Sequence, residues 1–291
     1  GASTTISMTF TATVPDEAPD TSGRFRHDFN RGSWALSGWY PMLAGFDPDA
    51  GWDLDPPAAW SDVTFGAAAL YDVTIAAPES LALVASGIEM PADGSGGRRF
   101  VSGPAREFAL VADPTLMATS AEAGNTTVTM HHPAESASGA EQVLDWATGA
   151  LTTYTELFGA YPYATLNIVA VPGITGAEFS GMVWIDAPFV ADPIGAGSRP
   201  GAIELLVAHE VAHQWWYGLV GNNPQLDPFL DEKDSFVMLS RAHAYLVEGR
   251  YSEGVVRVIQ ELRRVLIRRS RQARRDPERF ERKVAVPEGR S

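Results

Sequence analysis

Apolar and polar side chains alternate along much of the first 105 residues. The alternation is regular over residues 6–14 and 69–76, and residues 80–86 form a further apolar stretch that Gly87 closes. A period of two indicates β-strands with one buried face, since successive side chains point to opposite sides of a strand. Pro, Gly and Asp cluster in the predicted turns, at residues 15–23, 47–57 and 91–97. The pattern therefore predicts a β region.

From about residue 106 the pattern changes to a mixture of strands and helices. Apolar strands are predicted at 108–112, 126–130 and 166–171. In residues 139–158 apolar side chains recur every three to four positions, which predicts an amphipathic helix. A second helix is predicted from 203 to about 219. Asp227 before Pro228 is typical of an N-cap followed by the first helical position, so a third helix is predicted to begin there.

Composition places the chain among ordinary globular proteins. Its 291 residues are 45% apolar and 20% charged, enough chain for one large domain or two smaller ones. No run of 18 apolar residues occurs, so no transmembrane helix is predicted. The chain starts at Gly1 without a basic and apolar leader, as a processed protein or a fragment would. The absence of cysteine excludes thiolate metal ligands and leaves the compartment open, with an extracytoplasmic or cell-surface location slightly favoured.

Charge is distributed unevenly along the chain. Residues 233–291 hold 15 of the 22 basic residues and eight of the 36 acidic ones, a net charge of +7, whereas the preceding residues carry −21. The acidic body argues against nucleic acid as a partner. The basic tail has three open interpretations: an amphipathic helix on the acidic body, a helix for a membrane surface or partner, or foreign sequence from a reading-frame slip.

The strongest chemical signal is the sequence His209-Glu210-Val211-Ala212-His213, followed after eighteen residues by Glu232. On a helix, positions i and i+4 lie on one face, so both imidazoles can reach the same metal ion. A third ligand from a following helix leaves one tetrahedral position open, as in a catalytic zinc site. Glu210 lies beside that face and can take a proton from water. The alternative is a core helix with two incidental histidines.

These segments together resemble the M1 family of zinc aminopeptidases, gluzincins whose catalytic domain is thermolysin-like. The residues that match the family's zinc motif are His209, Glu210, His213, Gln214, Trp215 and, on its second helix, Glu232. Residues 158–163 are similar to the family's turn before a sheet strand, and residues 39–41 and 71–74 are similar to its N-terminal β domain. The resemblance covers most of residues 24–232.

The resemblance implies an α+β, multidomain fold. An antiparallel β domain, sandwich-like or saddle-like and incomplete at its start, would span residues 1–105. A thermolysin-like α/β zinc peptidase domain would span residues 106–291, with an incomplete helical end and the atypical tail 233–291. The active site would lie in the cleft between the two domains.

The resemblance also implies the chemistry. One zinc ion per chain would be held by His209, His213 and Glu232, and Glu210 would act as general base on a water that the zinc activates. The family's exopeptidase loop, usually Gly-Ala-Met-Glu-Asn, falls at residues 175–179. Its glutamate corresponds to Glu178, whereas Ala177 and Phe179 replace the usual Met and Asn. Glu178 would bind the free α-ammonium of a peptide, and backbone amides near Gly176 and Ala177 would hold the peptide extended. The alternative for Glu178 is a solvated loop glutamate.

The match to the family stops after Glu232. Lys233 stands where members have glycine, and the family's catalytic tyrosine lies further along than Tyr245 or Tyr251. Loss of one oxyanion donor commonly costs about 10²–10³ in rate. The predicted function is therefore a zinc aminopeptidase acting on peptides with a free N-terminus. A zinc endopeptidase of similar fold and a catalytically inactive zinc-binding interaction module are the alternatives.

Overall fold

The structure, a computed structural model, describes residues 3–15, 27–30, 32–47, 51–52, 54, 66–92, 94, 96–197 and 200–219. All of them belong to one compact unit, residues 1–235. The third predicted helix, Glu232, Lys233 and the basic tail lie outside the described residues. The division into domains at residue 105 stays a prediction.

The N-terminal part is built from antiparallel strands, as the period-two pattern predicts. Its strands are β1 (His27–Asn30), β2 (Ser33–Leu36), β3 (Phe46–Asp47), β4 (Gly51–Trp52), β5 (Ala69–Ile75), β6 (Ala82–Ala85), β7 (Ile88–Glu89), β8 (Arg98–Ala105) and β9 (Leu110–Asp113). They form a four-stranded sheet of order β1-β2-β9-β6, a three-stranded sheet of order β5-β8-β7, and the pair β3-β4. Every pairing in these sheets is antiparallel.

The second part contains a mixed five-stranded sheet. Its strands are β10 (Met117–Ala123), β11 (Thr126–His132), β12 (Thr165–Val171), β13 (Gly176–Phe179) and β14 (Met182–Asp186), in the order β10-β11-β12-β14-β13. The central strands β11, β12 and β14 run parallel, and both outer strands are antiparallel to their neighbours. Strand β13 is therefore an edge strand.

The helices of the second part are a 3₁₀ turn (Ala134–Ser136), α1 (Ala137–Phe158), the short α2 (Ala187–Ala191) and α3 (Ala202–Ala212). Helix α1 buries Val143, Ala147, Leu151 and Tyr154 against the sheet and α3. Gly159, at a φ of 104°, ends α1 in a conformation that favours glycine. Among the helices that the structure describes, none is both long and apolar enough to span a bilayer.

The core lies on both sides of the five-stranded sheet. Trp184 and Met182 of β14 pack with Val171 of β12 and with Val84 and Val111 from the four-stranded sheet. Helix α1 contacts β10 and β11 of the same five-stranded sheet. The sheet is thus covered by a second sheet and a helix, and its strand β13 contacts α3. The mixed α+β content predicted from the sequence is confirmed.

Two predicted elements differ from the structure. The predicted strand at residues 6–14 is wrong: residues 3–15 form no strand, and residues 3–13 are exposed. A strand requires a partner for its backbone N–H and C=O groups, and no described strand pairs with this segment. The helix predicted from residue 203 to about 219 ends at Ala212, and the chain then continues in turns, where the N–H of Gly218 donates to the carbonyl of His213.

Candidate metal centre

The two motif histidines converge at the C-terminal end of α3. Their Nε2 atoms lie 3.1 Å apart, and the ligand atoms of His209, Glu210 and His213 all lie within 4.8 Å of one another. The cause is local, since four residues make slightly more than one helical turn and bring both rings to the same face. The burial of Val207, Ala208 and Val211 fixes the helix itself in the core.

The ring orientation of His213 is set by a contact of its Nδ1 atom. Its Nδ1 lies 3.3 Å from the carbonyl oxygen of Trp216, and the residue is only 1% exposed. A carbonyl oxygen can only accept a hydrogen bond, so Nδ1 carries the proton in this contact. In the neutral ring the Nε2 lone pair is then available to a metal ion, the arrangement that supporting hydrogen bonds give to metal-binding histidines.

The cluster can hold a metal ion. Imidazole nitrogens and a carboxylate are suitable donors, and two Nε2 atoms at 3.1 Å are close enough to bind the same cation. Glu210 is 4% exposed, so its carboxylate lies in a largely dry environment beside the two rings. The predicted third ligand, Glu232, lies outside the described residues.

Gly176 of the edge strand lies directly against Glu210. A Cβ built at Gly176 would be 2.8 Å from Cδ and 3.1 Å from Cγ of Glu210, and its contact with Oε1 would be closer still. The carboxyl group of Glu210 therefore occupies the space that any other side chain at position 176 would fill. Contacts between β13 and α3 bring these two residues together, although 34 positions separate them in the sequence.

Glu178 lies on the same edge strand, two residues after Gly176. Its Oε1 is 3.7 Å from Nδ1 of His213, and its side chain is 11% exposed. Its side chain is thus mostly buried beside His213, in a strand and not in a solvated loop. Ala177, between them, points to the other side and packs against the core cluster around Trp184.

Aromatic rings fix α3 to α1 from behind. The Tyr154 hydroxyl donates to the carbonyl of Ala208 at 3.1 Å, and the indole N–H of Trp215 donates to the carbonyl of Gly159 at 3.2 Å. Trp215 is also in contact with the rings of Tyr154 and Phe158. These contacts place Trp215 in the packing between the motif helix and α1.

Gln214 and Glu107 are two buried polar residues near the site whose roles sequence analysis misses. Gln214 accepts from the N–H of Gly181 at 2.9 Å and donates to the carbonyl of Phe179 at 2.9 Å, so it holds the turn between β13 and β14. Glu107 is 1% exposed, and burial raises the pKa of its carboxyl group. An acid adjoining the apolar stretch 108–112 is the sequence signal that could have drawn attention to Glu107.

Models of known protein families give no match to this chain, and curated proteins give none either. The resemblance to the M1 family therefore stays a prediction that rests on the residues quoted above.

Proposed function

We propose that this protein is a zinc metallopeptidase that removes N-terminal residues from peptides. The observation that carries the proposal is the convergence of the His209 and His213 Nε2 atoms beside the Glu210 carboxylate. Two histidines and a glutamate are a ligand set of catalytic zinc sites, and Glu232 is the proposed third ligand. The chain contains no cysteine, so thiolate ligands do not compete with this set.

Zinc, when bound, would polarise the scissile carbonyl and lower the pKa of a water molecule to about 7. Glu210 is proposed as the base that takes the proton from this water and later delivers it to the leaving amine. Its 4% exposure supports that role, because a carboxylate shielded from bulk water interacts more strongly with charges that develop nearby. The contact between Nδ1 of His213 and the carbonyl oxygen of Trp216 supports the proposal that His213 binds the metal through Nε2.

Glu178 is proposed as the residue that selects a free N-terminus. Its largely buried carboxylate on the edge strand can pair with the α-ammonium group of a peptide, and such pairs are stronger where water is excluded. Among the described strands, β13 pairs with β14 on one side only, so backbone groups near Gly176 and Ala177 can support a peptide lying in an extended conformation.

The test is hydrolysis of an aminoacyl-anilide by the purified full chain loaded with zinc. The proposal predicts hydrolysis by the wild type and its loss in Glu210→Gln, with zinc still bound at one ion per chain. Glu210→Gln keeps the size of the side chain, so loss of zinc in this variant would instead indicate a damaged site. Full activity of Glu210→Gln would contradict the role of Glu210.

A zinc endopeptidase is the second candidate, and one observation favours it. Glu178 Oε1 lies 3.7 Å from Nδ1 of His213, a position from which the carboxylate can orient this ring instead of binding a substrate amine. Cleavage of N-acetylated peptides at least as fast as their free-amine counterparts would favour the endopeptidase. Cleavage of the free-amine peptides alone would favour the aminopeptidase.

A further inference from the structure

The turn that follows the motif helix has an unusual backbone conformation. Tyr217 has a φ of 87° and is the one described non-glycine residue with a positive φ. A bulky side chain rarely adopts this conformation, so contacts elsewhere in the protein must hold it there. The preceding residue, Trp216, supplies the carbonyl oxygen that contacts Nδ1 of His213. The backbone conformation at Tyr217 therefore bears on the position of the Trp216 carbonyl, which contacts the proposed metal ligand His213.

The carboxylate of Glu107 holds this turn from a distant part of the chain. Its Oε2 accepts a hydrogen bond from the Tyr217 hydroxyl across 110 positions of sequence. The neighbouring Arg106 donates from Nε to the carbonyl oxygen of Tyr217, and its guanidinium carbon lies 5.9 Å from the centre of the Tyr217 ring. Tyr217 is therefore fixed at both its side chain and its backbone.

The same carboxylate also holds the end of the edge strand. Oε1 of Glu107 accepts from the N–H of Ser180 at 2.6 Å, and the Ser180 hydroxyl accepts from the N–H of Arg106 at 3.0 Å. Ser180 directly follows β13, which carries Gly176 and Glu178. The buried side chain of Glu107 thus connects the turn after α3 to strand β13, whose Gly176 adjoins Glu210.

We infer that Glu107 is a positioning residue of the metal centre, which it orients through Tyr217 and Ser180. The inference rests on the metal site of the proposed function. The two carboxylate oxygens of Glu107 accept hydrogen bonds from two different parts of the chain, Tyr217 and Ser180. A neutral side chain with a single acceptor oxygen cannot satisfy both donors in the same way. Removing a direct hydrogen-bonding partner of a metal ligand typically costs about 10- to 100-fold in metal affinity, and Glu107 acts one step further away, so an effect of up to about 10-fold is expected.

The test compares the full-length wild type with Glu107→Gln. Zinc affinity is measured by competition with a chromophoric chelator, and the visible absorption of the Co²⁺-loaded protein reports ligand geometry. Glu107→Gln is expected to weaken zinc binding by up to about 10-fold, and by more than the control below, and to change the Co²⁺ spectrum. Tyr217→Phe, which removes only one hydroxyl group, is expected to weaken zinc binding in the same direction and serves if Glu107→Gln does not fold.

Asp113→Asn is the matched control. Asp113 is also a buried carboxylate, but it accepts from the N–H and hydroxyl of Thr115, both at 2.7 Å, in the four-stranded sheet. The zinc affinity of the Asp113→Asn protein is expected to stay within about twofold of the wild type. Asp113 is not among the hydrogen-bonding partners of Tyr217 or Ser180 described above. Urea unfolding of all variants separates a loss of stability from a loss of metal affinity.

Wild-type zinc affinity and an unchanged Co²⁺ spectrum in both Glu107→Gln and Tyr217→Phe would overturn the inference, whatever their stability. A wild type that binds no zinc would overturn it together with the proposed metal site. Because zinc affinity is measured without substrate, a protein that binds zinc but cleaves no peptide would refute the proposed function alone. The comparison of variants would still decide the role of Glu107.

Discussion

Replacing Gly176 with alanine places a methyl group in the space that the Glu210 carboxyl group occupies. The new Cβ would be 2.8 Å from Cδ of Glu210, and Oε1 would be closer still. Ordinary contacts of a Cβ begin at 3.4 Å. The carboxyl group must therefore move by about 1 Å, because it is the movable end of a side chain whereas Gly176 is fixed in a strand.

The expected loss of activity is larger than the loss of stability explains. A displacement of about 1 Å in a catalytic group can cost about 10²-fold in rate, so kcat/KM is expected to fall by about that factor. The backbone at Gly176 has no positive φ, so alanine does not strain the backbone, but displacing the buried Glu210 carboxyl group is expected to cost about 1–3 kcal/mol of stability. His209 and His213 are not displaced, so zinc should remain bound.

The assay is hydrolysis of an aminoacyl-anilide, with zinc content and urea unfolding measured on the same preparations. Gly149→Ala in α1 is the matched control, because nothing lies within 4 Å of the Cβ that it adds. That control is expected to keep wild-type activity and to gain up to about 1 kcal/mol of stability. A Gly176→Ala variant with activity within twofold of the wild type would refute the placement of Glu210 as base.

Two further predictions concern Glu178 and His131. Glu178→Ala should raise KM for free-amine substrates much more than it weakens zinc binding, measured by steady-state kinetics and chelator competition, and an unchanged KM would contradict amine recognition. Burial lowers the pKa of His131 in the folded chain, so the unfolded chain binds the proton more readily. The free energy of unfolding is therefore expected to fall as pH drops below the unfolded pKa of about 6.5. In urea unfolding with chelator present, His131→Gln should therefore lose less stability than the wild type between about pH 7.5 and 5.5, and equal losses would contradict this account.

The elements that sequence predicts correctly depend on local periodicity. The stripe of Val143, Ala147 and Leu151 predicts α1, and the spacing of His209 and His213 predicts that their rings meet, because both follow from the pitch of one helix. The alternating residues 69–76 likewise give β5.

The parts that sequence does not predict depend on contacts between distant positions. Apolar and polar side chains alternate in residues 6–14 as they do in a strand, but this alternation does not reveal whether a partner strand exists. Helix α3 ends at Ala212, and five residues later Tyr217 adopts a positive φ in a turn that Glu107 contacts from 110 positions away. The contact between Gly176 and Glu210 also arises only when β13 reaches α3.

Zinc content of the purified full chain tests the central claim most directly. Metal analysis after dialysis is predicted to find one zinc per chain in the wild type, and about a tenth of that or less in a His209→Gln, His213→Gln double variant that remains folded. Equal zinc in the wild type and the double variant, or none in the wild type at saturating zinc, would contradict the assignment of His209 and His213 as metal ligands.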